Sequence, residues 1–469
     1  MFVGREKEIS VIKEVLDSKT PGIIVIYGRR RIGKSELIQQ CVKGIPSLNF
    51  EGAEGQSQKK QIKNFQDQFD FQIGTSFRKQ SPSSWKEVLL DLVKELQKNP
   101  KLVIIDEFQW MANYRSELVS ELKIIWDQYL NKLAGVSLIL CGSIVSFMIT
   151  KVLKSKALYG RVNCTIHLKS FTLQETKLMF PGRGYHEILD AQCLTSGVPL
   201  YLKHVSEADS VKLSLNTLVF QPSGTWVSEY QKIFVSHFGK NALYRQIVET
   251  LSKYSYGLFR TQLLEKLGEK PGGRFSDLLF DLEKAGFITS YTPLNKPVNS
   301  KLKKYMITDG FLSFYLNFIK PNLKNIQEEI SENLFQNTIQ SNAFVSWLGI
   351  SFEKVCICHA KKIAYLLGFS GIEYSAGSYF KRYKKGEEGI QIDLVYQRKD
   401  NVITLCELKY SQNPIGLSVV KDVGKKEEIL RQNFPGKTIQ KVLITLSAPT
   451  NELIGSGYFW KIIRAKELL

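Results

Sequence analysis

The sequence predicts an α/β chain of several domains, and three observations carry that expectation. At 469 residues the chain is longer than one hydrophobic core usually supports. Over residues 1–170, short continuous apolar runs alternate with amphipathic helical stretches. A second mixture of helices and strands begins near residue 340, after a mostly helical middle. A hydrophobic share of 43% and a charged share of 23% place the chain among ordinary globular proteins.

Ile23–Tyr27, Leu102–Ile105 and Ser137–Cys141 are rich in Ile, Val and Leu without a polar break. Such runs suit strands of a parallel sheet buried on both faces. Residues 171–235 read as mostly helical, with breaks at Pro181 and Pro199. No uninterrupted apolar run of about 18 residues is present, so no membrane span is expected. MFVGREKEIS lacks the apolar core of a secretory signal. The seven scattered cysteines include no CxxC pair and fit a reducing, cytoplasmic setting. Cys356, Cys358 and His359 lie close together but lack a second half-site for zinc.

The segment Gly28-Arg29-Arg30-Arg31-Ile32-Gly33-Lys34-Ser35 fits GxxxxGK[ST], with an apolar strand before it and a helix after it. Glycines let the backbone turn so that several N–H groups point at phosphates, and the helix N-terminus adds partial positive charge. The pattern calls for ATP, with Lys34 on the β- and γ-phosphates and the Ser35 hydroxyl on Mg²⁺. Leu102-Val-Ile-Ile-Asp106-Glu107 ends an apolar strand in two carboxylates, at the sheet edge where open α/β sheets bind ligands. Asp106 is expected in the Mg²⁺ shell, and Glu107 is expected to polarise the attacking water. Ser143, closing a third strand, is a candidate partner for the γ-phosphate or that water. Arg161 is either a sensor or finger at a γ-phosphate, in its own subunit or a neighbour's in a homo-oligomer, or one of many surface arginines.

A net charge of +19 and a pI near 9.4 favour a polyanionic partner, DNA above all. Asn241–Leu251, Arg260–Leu267 and Phe275–Ala285 read as three helices, and Phe287–Tyr291 and Tyr305–Thr308 as a hairpin. That order describes a winged helix-turn-helix, with Leu278, Leu279, Leu282 and Phe287 as core. Arg274, Ser276 and Lys284 are candidates for a groove, and Lys296, Lys301, Lys303 and Lys304 for phosphates. Winged helices also act as protein–protein spacers, and the hairpin lysines are alternatively just solvated.

Asp393 and Glu407-Leu408-Lys409 match D-x13-E-x-K, the signature of PD-(D/E)xK nucleases. In a chain this rich in acids and lysine, about one chance match is expected, so spacing decides little. Position decides more: both carboxylates sit inside β-like apolar runs, where an unpaired charge is costly unless a cation joins the two. Asp393, Glu407 and the Leu408 carbonyl are then expected to hold Mg²⁺, while Lys409 orients the water and stabilises developing charge. Glu353 is either an additional acid of this site or an exposed helix carboxylate.

FVGREKEI, YGRRRIGKSEL, VIIDEFQW, LCGS, LYGR and SGVPLYL occur in this order. The series resembles the prokaryotic "archaeal ATPase" family, a branch of the AAA-like and STAND-like P-loop NTPases. The last region resembles the small domain of unknown function that follows the ATPase and winged helix in that family. The resemblance implies a P-loop ATPase domain over 1–170 and a helical lid over 171–235. It further implies a winged helix-turn-helix over 236–325 and a restriction-endonuclease-like α/β domain over 335–469. It also implies that Gly4-Arg5-Glu6 lies near the adenine and that Gly197-Val198-Pro199 belongs to the lid. Ser196 departs from the family's usual glycine. The function expected is an ATP-driven switch that positions a metal-dependent nuclease-like domain on DNA. The competing expectations are a non-nucleolytic signalling ATPase, and a DNA-binding regulator with ATP as its ligand.

Overall fold

The computed structural model describes residues 2–18, 20–75, 82–99, 101–113, 116–239, 241–292, 294, 302–381 and 390–469. The chain divides into two compact units, residues 1–170 and 171–469.

The first unit is built on five parallel strands: β1 (Gly22–Tyr27), β2 (Ser47–Glu51), β3 (Leu102–Asp106), β4 (Ser137–Gly142) and β5 (Val162–His167). Their order is β2-β3-β4-β1-β5. Every residue of β1 is buried, because its side chains alternate between two cores. Ile24 and Ile26 pack with Ile12 and with Leu37 of α1 (Lys34–Cys41). Ile23 and Val25 face the core that holds Phe65, Trp85 and Leu122. Helices therefore cover both faces of the sheet, which is why its central strands read as unbroken apolar runs. The chain reverses strand order beside β1, the kind of point where such sheets bind ligands at their C-terminal edge.

In the second unit, five helices between Leu173 and Phe238 precede α2 (Ala242–Ser252), β6 (Leu258–Phe259), α3 (Arg260–Leu267), α4 (Gly273–Lys284), β7 (Ile288–Tyr291) and β8 (Lys304–Ile307). The last three strands form an antiparallel sheet in the order β6-β8-β7. Leu278, Leu279, Leu282 and Phe287, expected as core, are buried.

The remainder holds α5 (Asn342–Cys358), β9 (Tyr374–Lys381), β10 (Ile390–Arg398), β11 (Val402–Lys409), α6 (Ser418–Asn433), β12 (Thr438–Thr445) and β13 (Lys461–Arg464). Strands β9, β10 and β11 run as an antiparallel meander, and β12 and β13 lie parallel to β11 beyond it. A parallel step from β11 to β12 requires a crossover, which α6 supplies. Its Val419, Val423 and Leu430 are buried against that face of the sheet. Among the described residues no single helix is long and apolar enough to cross a membrane.

Candidate functional sites

The loop after β1 turns where the sequence has glycine. A Cβ on Gly28 would lie 2.4 Å from the Leu168 carbonyl oxygen, and Gly33 sits at φ 82° as it caps α1. Arg31 also adopts a left-handed conformation, at φ 72°. Ile32 is buried in the core, Arg29 is buried, and Arg30 reaches Glu54 at 3.0 Å and Glu107 at 3.8 Å. The Lys34 ammonium donates to the carbonyls of Gly28 and Arg29 at 3.0 and 3.1 Å, spanning the loop from within. Arg5 joins this region by donating to the Ile32 and Lys169 carbonyls.

Strand β4 lies between β1 and β3, so the residue just after β4 stands between the loop and the acidic pair. The Ser35 hydroxyl donates to Asp106 Oδ2 at 2.8 Å, bringing together the two oxygen ligands expected for Mg²⁺. Glu107 has φ 48°. Its carboxylate accepts from the Ser143 hydroxyl at 2.7 Å and from the Gln109 amide. Gln109 also accepts from the Ser143 backbone N–H at 3.2 Å. Gln109 was not singled out by the sequence. Its signal was its place two residues after the acidic pair.

Arg161 does not join this site in its own chain. It precedes β5, at the sheet edge opposite the loop, and grips Asp127 with both Nε and Nη2, at 2.6 and 2.8 Å. The six-residue strands between the two edges span roughly 20 Å, beyond the reach of an arginine.

The antiparallel register of β10 and β11 pairs Leu394 with Cys406. Carried one residue further, it sets Asp393 opposite Glu407. Both Glu407 oxygens meet lysines: Oε1 lies 2.9 Å from Lys409 Nζ and Oε2 lies 2.6 Å from Lys426 Nζ. Glu353, on α5, completes the cluster, so it is not an exposed helix carboxylate. Burial first, then the Asp393 charge, pushes its carboxyl up to about 8. Burial likewise raises Asp393, with Glu407 adding to the effect and Lys426 and the Gln391 amide opposing it. Burial works to lower Lys409, but Glu407 outweighs it and the amine is raised. Lys426 on α6 was missed by the sequence reading, because one lysine in a helix rich in lysine carries no spacing signal. Among the described residues no group of three or more His, Cys, Asp or Glu is gathered closely enough to hold a metal ion. In this conformation lysines answer the Glu407 charge.

The basic candidates divide. Arg274 on α4 and Lys303 before β8 are exposed, while Lys296 and Lys301 lie outside the described residues. Lys304 is buried, with its ammonium 3.8 Å from the Phe380 ring centroid and 5.5 Å from that of Phe259. It is therefore a packing residue here and not a phosphate contact, since strand alternation turns it inward.

Residues 2–196 match a family described as an ATPase domain predominantly from Archaea. Residues 315–426 match a family of archaeal and bacterial proteins of unknown function. Uncharacterized protein MJECL04 of Methanocaldococcus jannaschii is 30% identical over 363 residues, 76% of each chain. The chain belongs to the archaeal ATPase family. It is accordingly a nucleotide-binding P-loop ATPase with a separate C-terminal domain built on a mixed sheet. Among solved structures, the Walker-type ATPase PABY2304 of Pyrococcus abyssi is 21% identical, with a TM-score of 0.46. That similarity covers 67% of this ATPase and 96% of that chain. The Aeropyrum pernix ORC2 protein, in its ADPNP and ADP complexes, is 15% identical with a TM-score of 0.42. It covers 72% of this ATPase and 95% of that chain. Both likenesses are distant.

Proposed function

We propose that this ATPase is a switch that acts on DNA, with the C-terminal domain as a metal-dependent nuclease. The observation that carries the reading is the cluster of Glu353, Asp393, Glu407, Lys409 and Lys426, drawn from α5, β10, β11 and α6. Asp393 and Glu407, with the Leu408 carbonyl, would offer a divalent cation three oxygens once a lysine leaves Glu407, and the lysines suit a phosphodiester. At the nucleotide, Lys34 holds the β- and γ-phosphates, Ser35 and Asp106 hold Mg²⁺, and Glu107, held by Ser143 and Gln109, orients the water. Arg5 and its neighbours border the adenine.

In the C-terminal domain, Asp393, Glu407 and the Leu408 carbonyl are the residues that would hold the cation. Bound there, it would polarise a phosphoryl oxygen. For that to happen one lysine leaves Glu407, and the natural one is Lys409, half-exposed, which then serves the water and the developing charge. Lys426 stays to counter the remaining acid charge. Arg274 and Lys303 contact DNA phosphates. The helical segment 171–235 acts as the lid that answers to ATP.

A second reading has its own observation. Both oxygens of Glu407 are already held by lysines, which favours a signalling ATPase that binds DNA or protein without cutting. Supercoiled plasmid incubated with the full chain and Mg²⁺ or Mn²⁺ separates the two. Nicking that Lys409→Ala abolishes supports the nuclease. Intact plasmid under every metal and nucleotide condition, with ATP hydrolysis intact, leaves the signalling reading.

A further inference from the structure

Phosphoryl transfer is fastest when a guanidinium meets the charge on the γ-phosphate. Arg161, held by Asp127 at the opposite sheet edge, does not supply that charge within its own chain. The loop after β1 carries three arginines, and their surroundings differ. Arg29 is buried, whereas Arg30 is partly exposed and lies between two carboxylates. Its Nη2 is 3.0 Å from Glu54 Oε2, and its Nε is 3.8 Å from Glu107 Oε1. The other Glu107 oxygen, Oε2, accepts from the Ser143 hydroxyl and the Gln109 amide. Arg30 therefore stands beside the Glu107 oxygen that neither Ser143 nor Gln109 holds.

The backbone brings these groups together. Gly52, two residues before Glu54, donates its N–H to the Asp106 carbonyl at 3.0 Å. A Cβ there would lie 2.5 Å from the Glu107 carbonyl oxygen, so the chain leaving β2 presses directly on the acidic pair. Glu54 is carried to Arg30 on a segment anchored to the end of β3. The carboxylate itself is half-exposed, and an ion pair of that kind is weakly held. A terminal phosphate carries more charge, and its oxygens match the planar fork of a guanidinium at two points.

We propose that Arg30 is a catalytic residue of this ATPase, exchanging Glu54 and Glu107 for the γ-phosphate when ATP binds. The exchange neutralises the terminal phosphate and uncovers Glu107 Oε1 for the attacking water in one movement. Water adds to the γ-phosphorus as the bond to the β–γ bridging oxygen breaks; ADP keeps the electron pair, and inorganic phosphate and a proton are released. ADP offers no γ-phosphate, so with ADP Arg30 keeps its carboxylates, and the side chain distinguishes the two nucleotides. The part played by Glu107 rests on the proposed function; the contact between Arg30 and the γ-phosphate does not.

The test compares the binding of ADP and of AMP-PNP, an ATP analogue that resists hydrolysis, by calorimetry on the full chain with Mg²⁺. Phosphate release from ATP gives the turnover. Arg30→Ala is expected to weaken AMP-PNP about ten- to hundredfold and to leave ADP affinity unchanged. Its kcat should fall about 10²–10³-fold. A loss shared equally by ADP and AMP-PNP, or no loss of either, overturns the proposal. Should circular dichroism show that Arg30→Ala does not fold, Glu54→Gln decides instead. That exposed substitution removes the competing carboxylate and is expected to tighten AMP-PNP about two- to fivefold with ADP unchanged. AMP-PNP bound no tighter than by the native chain then overturns the proposal. Native-rate hydrolysis by Glu107→Gln would remove the water-orienting role of Glu107, while the comparison of ADP with AMP-PNP still decides Arg30.

Discussion

On the proposed function Glu107 and Lys34 do different work within one site, and single substitutions separate them. Glu107 is held by Ser143 and Gln109 beside the Ser35–Asp106 pair. Replacing it with glutamine keeps the hydrogen-bonding shape and removes the carboxylate charge that the proposal uses to orient the water. ATP hydrolysis should fall by about 10²–10⁴-fold while ATP affinity is kept, read by phosphate release and calorimetry. Lys34→Ala should lose the affinity itself. Glu353 carries a different expectation. Its folded carboxyl titrates at about 8 because burial and Asp393 disfavour the charge, so the folded chain holds a proton that the unfolded chain releases near 4.5. Stability from this group is therefore full below about pH 4.5 and is lost as pH rises toward 8. Glu353→Gln should flatten that decline in urea melts of the full chain between pH 5 and 8; an unchanged slope would show that another group sets it.

At the scale of the elements, backbone constraints become testable. Gly28 meets the Leu168 carbonyl where any Cβ would collide. Gly28→Ala should cost about 1–3 kcal/mol of stability and weaken ATP binding, seen in melts with and without nucleotide. The sequence made the central strands legible because β1, β3 and β4 are apolar almost throughout. It hid β2 and β5, the edge strands, whose residues alternate between buried and exposed and so read as neither buried strand nor helix. The same physics explains β6, a two-residue strand with no periodicity to detect. Asp393 and Glu407 were legible because a carboxylate inside an apolar strand is costly. Lys426 and Lys304 were not: their roles depend on which strand and which ring the fold brings beside them. Ser196 shows the converse. At φ 50° it takes the left-handed conformation that glycine adopts most readily, yet its hydroxyl donates to the Thr308 carbonyl and accepts from the Gly310 N–H. The serine is therefore a link between the helical segment and the residues that follow β8.

For the whole molecule, the charge of +19 is informative only once its lysines and arginines are placed. Arg274 and Lys303 are exposed, and on the proposed DNA reading Arg274→Ala and Lys303→Ala should each reduce the salt slope of DNA binding by about one. Lys304→Ala should leave that slope unchanged and instead loosen the contact with Phe380. Fluorescence anisotropy across a salt series checks both, and a slope lost with Lys304 alone would reverse the assignment. The ATPase site and the acid cluster lie in different compact units, so their chemistries should be separable by mutation. The most direct measurement follows plasmid nicking and ATP hydrolysis in the same tubes, with Mn²⁺, for the native chain and Lys409→Ala. The account predicts that the native chain does both, and that Lys409→Ala hydrolyses ATP at the native rate with the plasmid left intact. A native chain that hydrolyses ATP but never nicks, with any divalent metal and with or without nucleotide, would contradict it.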